Sequence, residues 1–191
     1  MWSDAQILDI TAGLIAARGI QQTSVQAIAD AAGYSKSGIL RRFPSKDALV
    51  EGALIQVRRD ASELRDCAAE LPVGEERDAI AIRRLGDYVF RRQGFARFVT
   101  SAISSPEDEQ LRSLFAPIGE TLFETFGDLG AQEDWRRRRV QIAVAISALT
   151  VVALTYEGAL TWAETQRPLF DAAWHALGHS GECPRPAQPS H

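Results

Sequence analysis

Between Ser24 and Lys46 the chain reads Ser-Val-Gln-Ala-Ile-Ala-Asp-Ala-Ala-Gly-Tyr-Ser-Lys-Ser-Gly-Ile-Leu-Arg-Arg-Phe-Pro-Ser-Lys, and few folds accommodate that order of caps, stripes and stops. Ser24 can cap a helix, because its hydroxyl can accept from a backbone N–H that the first turn leaves unpaired. Val25, Ile28, Ala29 and Ala32 recur at spacings of three and four and make one apolar stripe. Gly33 stands where a left-handed terminator belongs, so the first helix should stop at Ala32. Ser35 can cap a second helix, Ile39 and Phe43 share its inner face, and Pro44 ends it, because the residue before a proline avoids the helical region. Ser45 can open a third. Two short helices joined by a glycine-containing turn form a helix-turn-helix unit, whose second member fits a DNA major groove.

Charge points the same way. From Ala31 to Lys46 the cations are Lys36, Arg41, Arg42 and Lys46, with no acidic residue, whereas the whole chain carries a net charge of −4. A local basic patch on an acidic protein marks the face that would meet phosphate. The competing explanation, a solvated helix face, accounts for the charge but not for the caps and the turn.

With those residues in view, Ile7 to Leu49 resembles the DNA-binding domain of the TetR family of transcriptional regulators. The likeness rests on Ile7-Leu8, Gly19, Thr23-Ser24, Ile28-Ala29, Ala32-Gly33, Tyr34-Ser35-Lys36 and Phe43-Pro44-Ser45-Lys46-Asp47-Ala48-Leu49, and it covers roughly the first quarter of the chain. Two positions depart from the family pattern. Gly38-Ile39-Leu40 stands where Thr-Leu-Tyr is common, so the phosphate contact usual for that tyrosine falls to Arg41 or Arg42. Ser37 replaces a common glycine, and Gly38 weakens the middle of the recognition helix by about 0.5–1 kcal/mol relative to alanine.

At 191 residues the chain can hold a small domain and a larger one. Apolar residues make up 46% and alanine is abundant, which favours an all-α protein over a sheet. Cys67 and Cys183 are the only cysteines, so a disulfide framework is not expected and a reducing cytoplasm fits. Met1-Trp2-Ser3-Asp4 lacks the basic region and apolar core of a signal peptide.

In chain order, a first helix should start at Ser3 or Asp4 and run to about Arg18, with Gly19 as terminator and Ile7, Leu8, Ala12, Leu14 and Ile15 inside. The helix opened by Ser45 continues through Leu49, Ala53, Val57 and Leu64 to about Leu71, long enough to leave the first domain and enter the next. Glu75 to Gln93 reads as a helix with Ile80, Leu85, Tyr88 and Val89 inside, interrupted at Gly94. A short segment then runs to about Ser104. Ser105-Pro106-Glu107-Asp108 has the chemistry of a helix start, and that helix should reach Gly127. A long helix is expected from about Asp134 to Thr161, a break at Thr165 to Pro168, and a last helix from Pro168 to Leu177. The expected division is a helix-turn-helix domain over 1–48, a helical domain over 49–178 and a disordered tail over 179–191.

Val140 to Leu160, behind Arg136 to Arg139, is long and apolar enough to suggest a membrane span, but Gln141, Ser147, Thr150, Thr155 and Glu157 interrupt it. A helix apolar on most sides is otherwise covered from several directions, and a partner subunit is the expected second cover. The resemblance assigns Val140 to Thr161 and Pro168 to Leu177 to a homodimer interface through the last two long helices, and implies a small-molecule effector held in the larger domain. Tyr88, Phe98, Phe123, Tyr156 and Glu157 are the candidate pocket residues, each also explicable as helical core. His175 and His179 are four apart, but no third ligand is nearby and no metal or other cofactor is expected. No nucleophile elbow, phosphate loop or zinc-protease motif occurs, so an enzyme is not expected.

The expectation is therefore an all-α regulator: an N-terminal three-helix DNA-binding domain with a larger helical-bundle ligand-binding and dimerisation domain. It would act as a homodimeric repressor, released from a near-palindromic double-stranded operator by a small molecule. Lys36, Ser37, Tyr34 and Gln26 are expected near bases. Ser35 and Gly38 shape the contacting surface, and Arg41, Arg42, Lys46 and the exposed helix N-terminus at Ser24 grip phosphate. The alternative is a ligand-independent DNA-binding or protein-interaction regulator of the same fold, without an enclosed effector pocket.

Overall fold

The computed structural model describes residues 2–104, 109–127, 134–155 and 161–184. The described residues form helices and no strands: α1 (Asp4–Gln22), α2 (Val25–Ala32), α3 (Lys36–Arg42), α4 (Lys46–Ala69), α5 (Glu75–Arg91), α6 (Gln93–Ser104), α7 (Glu109–Thr125), α8 (Trp135–Thr155) and α9 (Trp162–Ala176). The expected helix start at 105–108 lies outside the described residues.

Two apolar clusters organise the chain. Ile7, Ile28, Ala29, Ala32, Ile39 and Leu49 form a small core among α1 to α4. A larger core runs through α1 and α4 to α9, and Leu8 packs against both clusters. Leu49 and Val50 are neighbours in sequence yet enter different cores, because a helix turns about 100° per residue and so presents adjacent side chains to different partners. Each of Ile7, Ile28, Ile39 and Leu49 is fully buried, a contribution of about 2 kcal/mol per side chain.

The helix ends follow the sequence where the signals are local. Ser3 closes a capping box with Gln6, and the backbone leaves helical geometry at Gly19 (φ 74°, ψ 164°) before one more short turn to Gln22. Ser45 caps α4, accepting from the Ala48 N–H at 3.0 Å.

Three expectations are corrected. First, the chain breaks at Arg92 rather than Gly94, and Gly94 belongs to the first turn of α6. The Asp9 carboxylate of α1 accepts from the Gly94 and Phe95 N–H groups, each at 3.1 Å, and so caps α6 from a distant helix. Second, the last helix opens at Trp162, with Thr161 and Glu164 forming a capping box, and Pro168 lies inside it. That box supplies the start, while Leu169, Phe170 and Trp174 bury the face that holds the turn around the proline in place. Third, residues 179–184 pack back on the bundle. His179 stacks on Trp174 at 3.9 Å, the Trp174 indole donates to the Ser180 carbonyl at 3.2 Å, and Cys183 is buried with its N–H on Asp171. The rest of the expected tail lies outside the described residues.

Asp9 has a pH consequence. Burial lifts its carboxyl above the ordinary carboxylate value, against the pull of the Gly94 and Phe95 N–H groups and of Arg92. A carboxyl raised in the folded state stabilises fully below its unfolded value, and that contribution is lost as pH rises through the folded value. Relative to the non-titrating Asp9→Asn, the parent protein should therefore lose stability as pH rises above about 4. Melting temperatures of the two proteins across that range should converge or cross, and parallel curves would count against the assignment.

Candidate nucleic-acid interface

The α2–turn–α3 unit is built from its caps. Ser24 accepts from the Ala27 N–H at 3.1 Å, and Gly33 closes α2 in the left-handed region (φ 66°, ψ 32°). Any side chain there would be strained, which is why the turn depends on glycine. Ser35 accepts from the Gly38 N–H at 3.0 Å, and its hydroxyl lies 3.1 Å from that of Ser37. Ile39 is fully buried beneath α3, so the remaining face of the seven-residue helix turns outward.

That outward face carries the expected residues. Ser35, Lys36, Ser37 and Arg41 are exposed, while Gly38 is half-buried; a Cβ at Gly38 would lie 3.1 Å from the Ser35 hydroxyl oxygen. Gln26 is exposed on α2, its amide donating to Asp30 at 2.7 Å, so a base would have to compete for it. Tyr34 is half-buried against the small core, its hydroxyl 3.5 Å from the Trp2 carbonyl.

Arg42 and Lys46 are placed differently from Lys36 and Arg41. Arg42 is ion-paired to Asp4, its Nε donating at 2.7 Å, and it also donates to the Trp2 carbonyl at 3.0 Å. Its guanidinium carbon lies 5.9 Å from the Tyr34 ring centroid. Lys46 donates to the Gln21 carbonyl at 3.2 Å. Both cations thus tie the recognition unit to α1 and its N-terminal approach, with further N–H groups left over for phosphate. Trp2, Asp4 and the Gln21 carbonyl were not foreseen as part of this surface. They lie 25 to 40 positions away in sequence, and only Asp4, the sole acid at the start of α1, offered any signal.

A capped helix-turn-helix on its own small core, with a cationic second helix facing outward, is the arrangement of a major-groove reader. Residues 7–53 match the family model for bacterial regulatory proteins of the tetR family. The N-terminal quarter of the chain therefore carries a DNA-binding domain of the tetR type. Among solved structures, the TetR-family transcriptional regulator PfmR from Thermus thermophilus is similar with a TM-score of 0.55 at 20% identity, over 90% of this chain and 98% of that one. A TetR-like transcriptional regulator from a Rhodococcus species aligns with a TM-score of 0.48 at 20% identity, over 92% of this chain and 95% of that one. At these identities the PfmR likeness is one of fold. No curated protein matches the chain.

Among the described residues, the candidate pocket residues Tyr88, Phe98 and Phe123 line neither of the two clefts described below. Phe98 is fully buried in the core. The Tyr88 hydroxyl donates to Asp60, and its ring meets Phe95 edge-on with centroids 4.8 Å apart; burial and the Asp60 carboxylate push the phenol well above its ordinary value. Phe123 is half-buried under the Arg139 guanidinium at 4.2 Å. Tyr156 and Glu157 lie outside the described residues. Clefts open elsewhere among the described residues, one of about 470 Å³ between α1 and the α5–α6 corner and another of about 390 Å³ between α5, α9 and Cys183.

Proposed function

We propose that this protein is a TetR-family regulator, a cytoplasmic homodimeric repressor that holds a near-palindromic operator and leaves it when a small molecule binds the larger domain. The division is into a DNA-binding unit over 1–48 and a regulatory unit over 49–178. The observation that carries the reading is the outward cationic face of α3, with Lys36 and Arg41 exposed over a fully buried Ile39. Lys36, Ser37, Tyr34 and Gln26 are the candidates for base contact, while Ser24, Arg41, Arg42 and Lys46 hold phosphate.

Pairing is supported by α8, which is apolar and long enough to cross a bilayer by composition alone. It packs instead against α5, α6 and α9 through Ile142, Ala145, Ile146, Leu149 and Ala153. Its outer side exposes Val140 (64%), Val144 (51%) and Val151 (45%), a single stripe at helical spacing. A second copy packed on that stripe and on α9 would give a two-fold pair. Two recognition helices about 34–36 Å apart would then meet successive major grooves.

A second reading, a ligand-independent regulator of the same fold, is favoured by the closed packing of Phe95, Phe98 and Phe126. One experiment separates the readings: genomic fragments retained by the protein are sequenced and footprinted, with and without a metabolite extract. The proposed reading expects two protected half-sites and release by extract, whereas retention unchanged by any extract supports the second. On a retained fragment, Lys46→Ala should weaken binding to all sequences alike and reduce the log–log salt slope by about one unit. A change confined to sequence preference would place Lys46 at a base instead.

A further inference from the structure

The cleft of about 470 Å³ has a composition that the DNA-reading surface does not use. One wall is α1, including Leu14, Ala17 and Arg18; the other is the α5–α6 corner, including Phe90, Arg91 and Arg92. Its volume lies in the range of small-molecule sites, which are usually concave, mostly apolar and marked by a few placed polar groups.

Charge identifies the class of occupant. The lining has the arginines 18, 91, 92 and 97 against a single acid, Asp9. Both Asp9 oxygens already accept backbone N–H groups from α6, so that carboxylate is occupied in holding the two walls together. Arg92 donates once to the Ala5 carbonyl at 2.7 Å and Arg91 once to its own helix at Asp87, leaving most of their donors unspent. Arg18 donates to no group among the described residues, and it sits at the edge of the apolar wall. Guanidinium groups bind carboxylates through paired N–H donors, while the walls formed by Leu14, Ala17 and Phe90 favour an apolar body.

We infer that this cleft binds a small organic monoanion, its head among the arginines and its apolar body against α1 and Phe90. The walls come from the helix that carries Ile7 of the DNA-binding core and from the corner of the larger domain. An occupant is therefore sensitive to how the two units are set against each other, and any such sensitivity must be reciprocated in DNA affinity. Only that last consequence rests on the regulator reading; anion binding does not.

The test is calorimetric titration of the full chain with octanoate and with octanamide, which share an apolar body and differ in charge. Octanoate should bind and octanamide should be at least tenfold weaker, a difference of about 1.4 kcal/mol. Arg18→Gln should weaken octanoate at least fivefold, and Ala17→Trp, which fills the cleft from an exposed position, should abolish binding. Thermal melting checks that each variant is folded; should Ala17→Trp not fold, the Arg18→Gln ratio decides. Equal affinity for the two probes, an unchanged Arg18→Gln, a folded Ala17→Trp that still binds, or no binding of octanoate at roughly 5 mM would each overturn the inference. Fragment retention measured on the same preparations keeps the two readings apart. Lost retention with intact octanoate binding strikes only at the regulator, and intact retention without octanoate binding strikes only at the cleft.

Discussion

Exchanging Gly94 for alanine is expected to destabilise the protein by about 3 kcal/mol or more, the upper end of what overpacking costs. A Cβ built at Gly94 falls 1.7 Å from the Asp9 carbonyl oxygen and 2.6 Å from its carbonyl carbon. Those atoms are backbone of another helix, so no side chain can rotate aside, and relief requires α1 and α6 to part. Parting them costs more than the contact, because Asp9 would lose the Gly94 and Phe95 N–H groups, and the Ala5 carbonyl would lose Arg92 at 2.7 Å. Two other glycines calibrate the claim. At Gly13 a Cβ would meet the Gly94 Cα at 3.2 Å, which a shift of a few tenths of an ångström relieves. At Gly33 it would meet nothing within 4 Å, and the cost is the left-handed backbone alone, about 1–2 kcal/mol. Urea titration should therefore rank Gly94→Ala well below Gly33→Ala and Gly13→Ala. A Gly94→Ala midpoint close to that of Gly13→Ala would show that α1 and α6 part at little cost.

What sequence alone revealed, and what it hid, divides by distance along the chain. Ser24, Gly33, Ser35 and Ser45 act on backbone within one turn of themselves, so the helix-turn-helix and its outward face were legible residue by residue. The partners of Arg42 were not, because Asp4 is 38 positions away and a pattern of spacing carries no information about which helices cross. The same holds for the start of α6: Gly94 reads as a break when the only known caps are local, and Asp9 supplies one from another helix. Pro168 misled for the opposite reason. A proline at a helix start is a strong local signal, yet Thr161 and Glu164 form a better one seven positions earlier, and buried Leu169 and Phe170 keep the turn around the proline helical. The aromatic residues of the larger domain were legible as apolar and no further, since period alone does not tell a filled core from a lined cavity.

Removing the charge of Arg138 while leaving Asp78 is expected to cost about 3–5 kcal/mol, because it strands a carboxylate that has almost no access to water. Asp78 is 1% exposed and accepts from one Arg138 nitrogen at 2.6 and 2.7 Å, with the His179 ring 2.7 Å away on its second oxygen. Arg138 also reaches the Phe126 carbonyl at 3.4 Å, so this one guanidinium joins α5, α8 and the end of α7. Its neighbours in the run from Arg136 to Arg139 do other work: Arg136 lies over the Trp135 ring, and Arg139 pairs with exposed Glu120. An exposed pair such as Arg59 and Glu63 is screened by water and contributes little, so burial, not the presence of an ion pair, sets the size of the effect. The decisive measurement is a double-mutant cycle by chemical denaturation with Arg138→Met, Asp78→Ala and both together. The double variant should be more stable than the sum of the single costs predicts, by about 1–3 kcal/mol, since removing both partners leaves nothing charged to strand. Additive costs, or an Arg138→Met variant within about 1 kcal/mol of the parent, would mean that water or His179 alone satisfies Asp78, and the junction of α5 with α8 would then rest on its apolar contacts.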